Sequence, residues 1–245
     1  MRELKENEYI KDDLIWCSIC NTPKQMYIRN KLINFLCKCE SHKIETEKRN
    51  ATIAENQRKC YAELGDVIPS HYKRTLKDLD RNKYVDIAEK YVNHFDLHCE
   101  DGTGLLLFGG VGTGKSTLAS AIANEILFQG FTVKFTNFTH IMDMYESKDN
   151  NAEKLKYRTS LNRYHLLVID DYGIERNTSP MQELIYEVIN GRYEAKKPML
   201  ITTNKTPEPN NQFEQRVFDR IISRCDRIKM DGESRRIQEA KKIFL

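Results

Sequence analysis

No apolar stretch in this 245-residue chain approaches the roughly twenty residues that a helix needs to cross a bilayer. The N-terminus, Met-Arg-Glu-Leu-Lys-Glu-Asn-Glu, lacks the apolar core of a secretory signal. A soluble, cytoplasmic protein without a membrane partner is therefore expected. Charge of neither sign dominates, with 39 Lys and Arg against 36 Asp and Glu. Composition thus neither demands nor excludes a nucleic acid, and local patches must decide. Neither an internal repeat nor a low-complexity tract is evident. In a reducing compartment the seven cysteines are not expected to build a disulfide framework.

Four of those cysteines cluster instead. Cys17-Ser-Ile-Cys20 is followed by Cys37-Lys-Cys39, two close pairs about one hairpin apart, which is the zinc-ribbon layout. Gln25–Asn30 and Leu32–Leu36 read as two short strands between them. So few residues cannot build a core alone, so Zn²⁺ would supply the folding free energy. The second pair is looser than CxxC, and His42 stands close enough in sequence to replace one sulfur. With four protein ligands the ion has no open position, which makes it a scaffold. Cys60, Cys99 and Cys225 are scattered and read as packing residues.

The richest stretch is Gly104-Leu-Leu-Leu-Phe108 running into Gly109-Gly110-Val111-Gly112-Thr113-Gly114-Lys115-Ser116-Thr117. Gly109, Gly114, Lys115 and Ser116 satisfy GxxxxGK[ST] between an apolar run and a helix-forming run. Glycines let backbone N–H groups approach phosphate oxygens, and the following helix N-terminus favours an anion. Lys115 would reach the outer phosphates, and the Ser116 hydroxyl would take a place on Mg²⁺. Downstream, His165-Leu-Leu-Val-Ile-Asp170-Asp171 reads as a strand buried on both faces, as in parallel sheets. It ends in two acids at the strand edge where open α/β sheets bind ligands. Asp170 is placed to hold Mg²⁺, and Asp171 to orient the attacking water.

Residues 43–64 are rich in Glu, Lys, Arg, Asn and Gln without proline, a solvated helix that Gly65 ends. Apolar residues recur at helical spacing over 82–96. After the glycine-rich loop come a helix to Gln129, a strand at Thr132–Thr136, and helices over Phe138–Glu146 and Ala152–Arg163. A helix over Pro180–Ala195 precedes a strand at Pro198–Thr203, which ends in Asn204. Phe213–Arg224 reads as a helix with Arg216, Arg220 and Arg224 in one stripe. A strand at Asp226–Met230 and a short helix from Gly232 complete the order. The expected organisation is a zinc-binding unit (1–42), a helical linker (43–65) and a nucleotide-binding domain (66–245).

Over roughly 66–245 these motifs resemble an AAA+ ATPase, and more narrowly a DnaC/DnaI-type replicative helicase loader. The resemblance rests on Gly109–Thr117, Leu166–Gly173, Thr202-Thr-Asn204, Gln215-Arg-Val-Phe-Asp-Arg220 and Gly232–Arg236. The cysteine segment is similar to the zinc-bearing, helicase-binding domain of the DnaI branch. IstB-type transposition helpers share the ATPase motifs without such a metal site. The resemblance implies a three-layer α/β P-loop fold with a five-stranded parallel sheet, and ATP sandwiched between subunits of a homo-oligomer. The chain ends soon after Arg236, so the helical lid of larger AAA+ proteins is expected to be largely absent. Asn204 corresponds to sensor 1 and Arg220 to the arginine finger. Arg236 corresponds to the sensor-2 arginine, with Arg235 standing where tyrosine is usual. The implied partners are a hexameric replicative helicase and single-stranded DNA, the latter near Ile141–Asn150, where Tyr145 would stack and Lys148 would meet phosphate.

One departure bears on rate. The family usually carries Asp-Glu where this chain has Asp170-Asp171. The shorter carboxylate sits on the order of 1.5 Å further from the water, a misplacement that can cost about a hundred-fold. Weak or partner-stimulated hydrolysis is therefore expected. The alternatives to a helicase loader are an IstB-like transposition helper ATPase and a nucleotide-dependent adaptor that barely turns over.

Overall fold

In the computed structural model the chain divides into two compact units, Met1–Ala54 and Glu55–Leu245. Residues 4–62, 70–174, 178–207, 215–232 and 234 are described, without the side chains of 70 and 71. The predicted Gly65 helix stop, Phe213, Arg235, Arg236 and the C-terminal helix lie outside them.

The first unit is two hairpins and a helix. Strand β1 (Glu8–Lys11) pairs antiparallel with β2 (Leu14–Cys17), and β3 (Gln25–Ile28) with β4 (Lys31–Asn34). Both turns are two-residue: Asp12 and Asp13 have φ of 52° and 57°, Arg29 and Asn30 of 46° and 61°. Left-handed backbone at both central positions matches the twist of the flanking strands. Sequence pattern predicts the second hairpin, which the cysteine pairs bracket, and misses the first, which lies before them. The second hairpin is uncovered, with Met26, Tyr27, Ile28, Leu32 and Ile33 all exposed. Helix α1 (Lys38–Cys60) starts at the second cysteine pair rather than at 43, and along it only Cys60 is buried.

In the second unit the strands β5 (Gly104–Phe108), β6 (Val133–Thr136), β7 (Leu166–Ile169), β8 (Met199–Thr203) and β9 (Cys225–Lys229) form one parallel sheet. Their order is β6-β7-β8-β5-β9, so the expected five-stranded parallel sheet is present. Side chains alternate across it. Leu105, Leu107, Phe135 and Val168 pack with α2 (Lys83–Asn93) and α4 (Lys115–Phe128) on one face. Leu106, Leu167, Ile169 and Ile201 pack on the other with α5 (Phe138–Glu146), α7 (Ser179–Glu194) and α8 (Gln215–Arg224). Three layers result because the central strands β5, β7 and β8 are buried on both faces. The helix predicted over 82–96 is two, α2 and α3 (Phe95–Asp101), with His94 between them at φ −118°, ψ 24°. Helix α6 (Asn151–Ser160) runs into a 3-10 turn at Leu161–Arg163. Asn82, Asn137 and Asn150 cap α2, α5 and α6 through their side-chain oxygens. Burial pushes the thiols of Cys60 and Cys225 up to about 12, as inert packing residues require. Among the described residues no helix is long and apolar enough to cross a membrane.

One polar group in this core has no sequence signal. Arg192 of α7 is fully buried. Its Nη1 donates to Leu161 O and Tyr164 O at 3.0 and 2.7 Å, and its Nη2 to His165 O at 3.1 Å and to Pro198 O. Burial draws the guanidinium down to about 9, still charged at neutral pH. It ties the segments entering β7 and β8 to α7. Arg192→Leu takes the guanidinium donors from Leu161 O, Tyr164 O and His165 O, Pro198 O keeping the N–H of Leu167, at about 1–3 kcal/mol for each carbonyl left unpaired. We expect urea denaturation to show a loss of at least about 3 kcal/mol, with Arg192→Lys recovering part of it.

Candidate nucleotide and metal sites

Sheet order brings the P-loop and the acids to one edge. Because β7, β8 and β5 are consecutive neighbours, Asp170, Asn204 and the loop after Phe108 leave the same ends of adjacent strands. The loop turns on Gly109, Gly112 and Gly114, at φ of 141°, 77° and 93°. At Gly109 a Cβ would sit 2.3 Å from Met230 O, and at Gly112 2.1 Å from Ser234 Oγ. Neither position has room for a side chain. Thr113 Oγ1 donates to Gly110 O at 3.0 Å, closing the loop, while Val111 is exposed. Lys115 is buried and curls back, its Nζ donating to Gly109 O at 3.0 Å and Gly110 O at 2.7 Å. Ser116 and Thr117 lie in the first turn of the 14-residue α4. An ammonium, hydroxyls and a helix N-terminus converge on one glycine loop, a donor set that fits a polyphosphate. Beside it opens a cleft lined by Leu79, Tyr84, Val85, Gly114, Thr117 and Met230.

Asp170 is buried, and both carboxylate oxygens are held by neutral hydroxyls. Thr202 Oγ1 donates to Oδ1 at 2.6 Å and Tyr72 OH to Oδ2 at 3.2 Å. Asp171 is left-handed at φ 53°, which aspartate tolerates, and its N–H donates to Thr202 Oγ1 at 2.9 Å. Thr202 therefore sets both acids. Thr203 Oγ1 fixes the next turn through Tyr172 O at 2.7 Å, and Asn204 follows exposed. The hydroxyl of Thr202 and all of Tyr72 escape the sequence reading. Tyr72 sits in a 3-10 turn, Ser70–Lys73, that carries no periodicity to betray it.

Arg220 is not at this edge's hydrogen-bond network. Its Nε donates to Asn190 Oδ1 at 2.6 Å, Nη1 to Arg216 O at 2.9 Å and Nη2 to Tyr186 OH at 3.1 Å. The arginine stripe lies over aromatic rings. Arg216 and Arg220 cover Tyr186, and Arg224 covers Tyr193 at 5.0 Å. Tyr145 and Lys148 are both half-buried, Lys154 lying over the ring of Tyr145 at 5.3 Å and Lys148 over that of Tyr157 at 5.7 Å. Arg236 falls outside the described residues.

In the first unit Cys17, Cys20, Cys37 and Cys39 converge, all four Sγ atoms lying within 4.8 Å of one another. Cys17 and Cys39 are 3.5 Å apart, Cys37 and Cys39 3.2 Å. Thiolates about 2.3 Å from a tetrahedral zinc stand about 3.8 Å from each other, so the set fits that ion. The exposed His42 is not part of it. The Thr22 hydroxyl, 3.0 Å from Cys20 Sγ, lowers that thiol to about 6, towards the form a metal takes. Glu40 accepts from Cys37 N at 3.3 Å and is bridged by Lys24 to Glu8, supporting the ligands from behind.

Known proteins agree with this fold. The chain is 30% identical over 139 residues to the replicative helicase loader DnaC of Escherichia coli K12, covering 55% of each. It is 26% identical over 144 residues to an insertion-sequence ATP-binding protein of Mycobacterium tuberculosis, covering 55% of this chain and 56% of that one. It thus spans about half the length of these curated relatives. A crystal structure of the DnaC helicase loader superimposes with a TM-score of 0.56 at 24% identity, over 67% of this chain and 100% of the other. At that identity the likeness establishes the fold alone. Loader and insertion-sequence proteins both stand among the relatives. The model of the family described as IstB-like ATP binding protein matches residues 44–243, and the chain belongs to that family.

Proposed function

We propose that this chain is a magnesium-dependent ATPase that loads a hexameric replicative helicase onto single-stranded DNA. The observation that carries the ATPase half is that the P-loop after β5 and Asp170 after β7 leave the same edge of the sheet, with β8 between them. Lys115, Ser116 and the loop amides from Gly109 to Thr117 bind the phosphates. Asp170 and Ser116 hold the magnesium, which supplies charge neutralisation at the outer phosphates. Asp171 and Asn204 position the attacking water. Arg236 senses nucleotide from the C-terminal segment. Arg220, whose recorded hydrogen bonds go to α7 and its own helix, acts on the ATP of an adjacent copy.

The loader half rests on the first unit. Four cysteines hold zinc there, and the β3–β4 hairpin leaves Tyr27, Leu32 and Ile33 exposed for a protein partner. Tyr145 and Lys148 contact the DNA strand. A second reading, an ATPase that assembles on duplex DNA and serves a transposase, is favoured by the family match and the insertion-sequence relative. Mixing the zinc-loaded full chain and ATP with a hexameric replicative helicase, or with duplex DNA, and weighing the product by native mass spectrometry separates the two. A complex of helicase with several copies of this chain supports loading. Assembly on duplex DNA with no helicase captured overturns it in favour of the second reading.

A further inference from the structure

We propose that Tyr72 is a positioning residue that fixes the carboxylate of Asp170 for its cation, an inference that rests on the role of Asp170 above. Tyr72 is far from Asp170 in sequence and belongs to no strand of the sheet. Its hydroxyl nevertheless donates to Asp170 Oδ2 at 3.2 Å, opposite the Thr202 bond to Oδ1. Carboxylate rotation about its terminal torsion is broad and soft. Two donors on opposite oxygens remove that freedom, and because both are neutral hydroxyls they leave the charge for a cation. A lysine or arginine in either place would compete with it.

The hydroxyl is aimed by a built arrangement. Asn124 of α4, itself buried, donates to Tyr72 O and Arg74 O at 2.8 Å each. Its Oδ1 accepts from Tyr61 OH at 2.9 Å. The Tyr72 ring stacks on Tyr61 at 6.0 Å between centroids and meets Phe135 edge-on at 4.8 Å. Backbone and ring are therefore both anchored, so the direction of the hydroxyl is set before any cation arrives. Tyr61 immediately follows the end of α1 at Cys60. A chain of contacts thus runs from the end of that helix through Asn124 and Tyr72 to Asp170.

Tyr72→Phe keeps the ring contacts and removes only the donor. The test titrates Mn²⁺, as a spectroscopic substitute for Mg²⁺, into the full zinc-loaded chain with AMPPCP, and follows bound metal by electron paramagnetic resonance. Losing one hydrogen bond of ordinary net strength should raise the Mn²⁺ midpoint about three- to ten-fold. The metal-free affinity for AMPPCP should stay unchanged, and the thermal midpoint should fall by no more than one lost hydrogen bond costs, whereas a merely structural role would weaken nucleotide and metal binding together. Asp170→Asn run in parallel separates the two claims. If Asp170→Asn leaves the midpoint in place, the assignment of Asp170 itself fails, and the inference with it. If Asp170→Asn raises it and Tyr72→Phe does not, the inference alone is overturned. Failure of the unmodified chain to bind AMPPCP overturns both.

Discussion

Arg220→Ala is expected to lower ATP turnover about a thousand-fold or more while ATP affinity stays close to that of the unmodified chain. In the proposed role the guanidinium would place a fixed charge where negative charge builds during phosphoryl transfer, an interaction made in the transition state and not in the ground state. Such a loss falls on kcat and spares binding. Arg220 is already ordered: Asn190, Tyr186 and the Arg216 carbonyl hold it, and its plane lies 4.9 Å from the Tyr186 ring centroid. Little entropy remains to be lost when it meets a phosphate, which favours a large effect. Arg216→Ala, one turn earlier on the same stripe and exposed, should leave turnover within about two-fold, in the range of a surface change. Steady-state turnover beside equilibrium ATP binding checks both variants. Loss of binding in Arg220→Ala, or equal losses in the two, would show that the stripe only packs α8 on α7.

Zinc removal is the second large effect. The first unit has almost no apolar interior. Its buried hydrophobics are Cys17 and Cys37, and Met26, Tyr27, Leu32 and Ile33 face solvent. Hairpins of four-residue strands are marginal in water, so with zinc in the proposed site the metal's apparent binding free energy, about 10–16 kcal/mol in small zinc modules, would be the main source of its order. Chelation at neutral pH should make residues 1–54 rapidly cleavable by trypsin. The second unit, with its own core on both faces of the sheet, should keep its thermal transition. Cys37→Ser should behave as the chelated chain does, and His42→Ala as the unmodified one. Unchanged digestion after complete zinc removal would mean that the hairpins hold themselves.

What sequence makes legible here follows from where its signals come. A P-loop needs glycine at fixed positions, and a doubly buried strand needs a continuous apolar run. Gly109–Thr117 and Leu166–Asp171 therefore announce the sheet edge without help. The CxxC and CxC pairs announce a thiolate cluster for the same reason, and the structure removes His42 from it. The supports are not legible, because they are single polar residues whose partners lie far along the chain. Arg192 caps four carbonyls from segments before β7 and β8. Tyr72 and Thr202 grip Asp170 from opposite sides. The arginine stripe looks solvated in one dimension, and only the placement of α7 reveals Tyr186 and Tyr193 beneath it.

The central claim is that ATP held by one copy is acted on by an arginine of the next. Mixing Lys115→Ala with Arg220→Ala tests it most directly, since one variant lacks the phosphate grip and the other the charge supplied across the interface. Each alone should be nearly inactive. With the assembling partner and ATP present, the mixture should regain a substantial fraction of the unmodified turnover, because some interfaces pair an intact P-loop with an intact Arg220. Turnover no greater than the sum of the two separate variants would contradict the account.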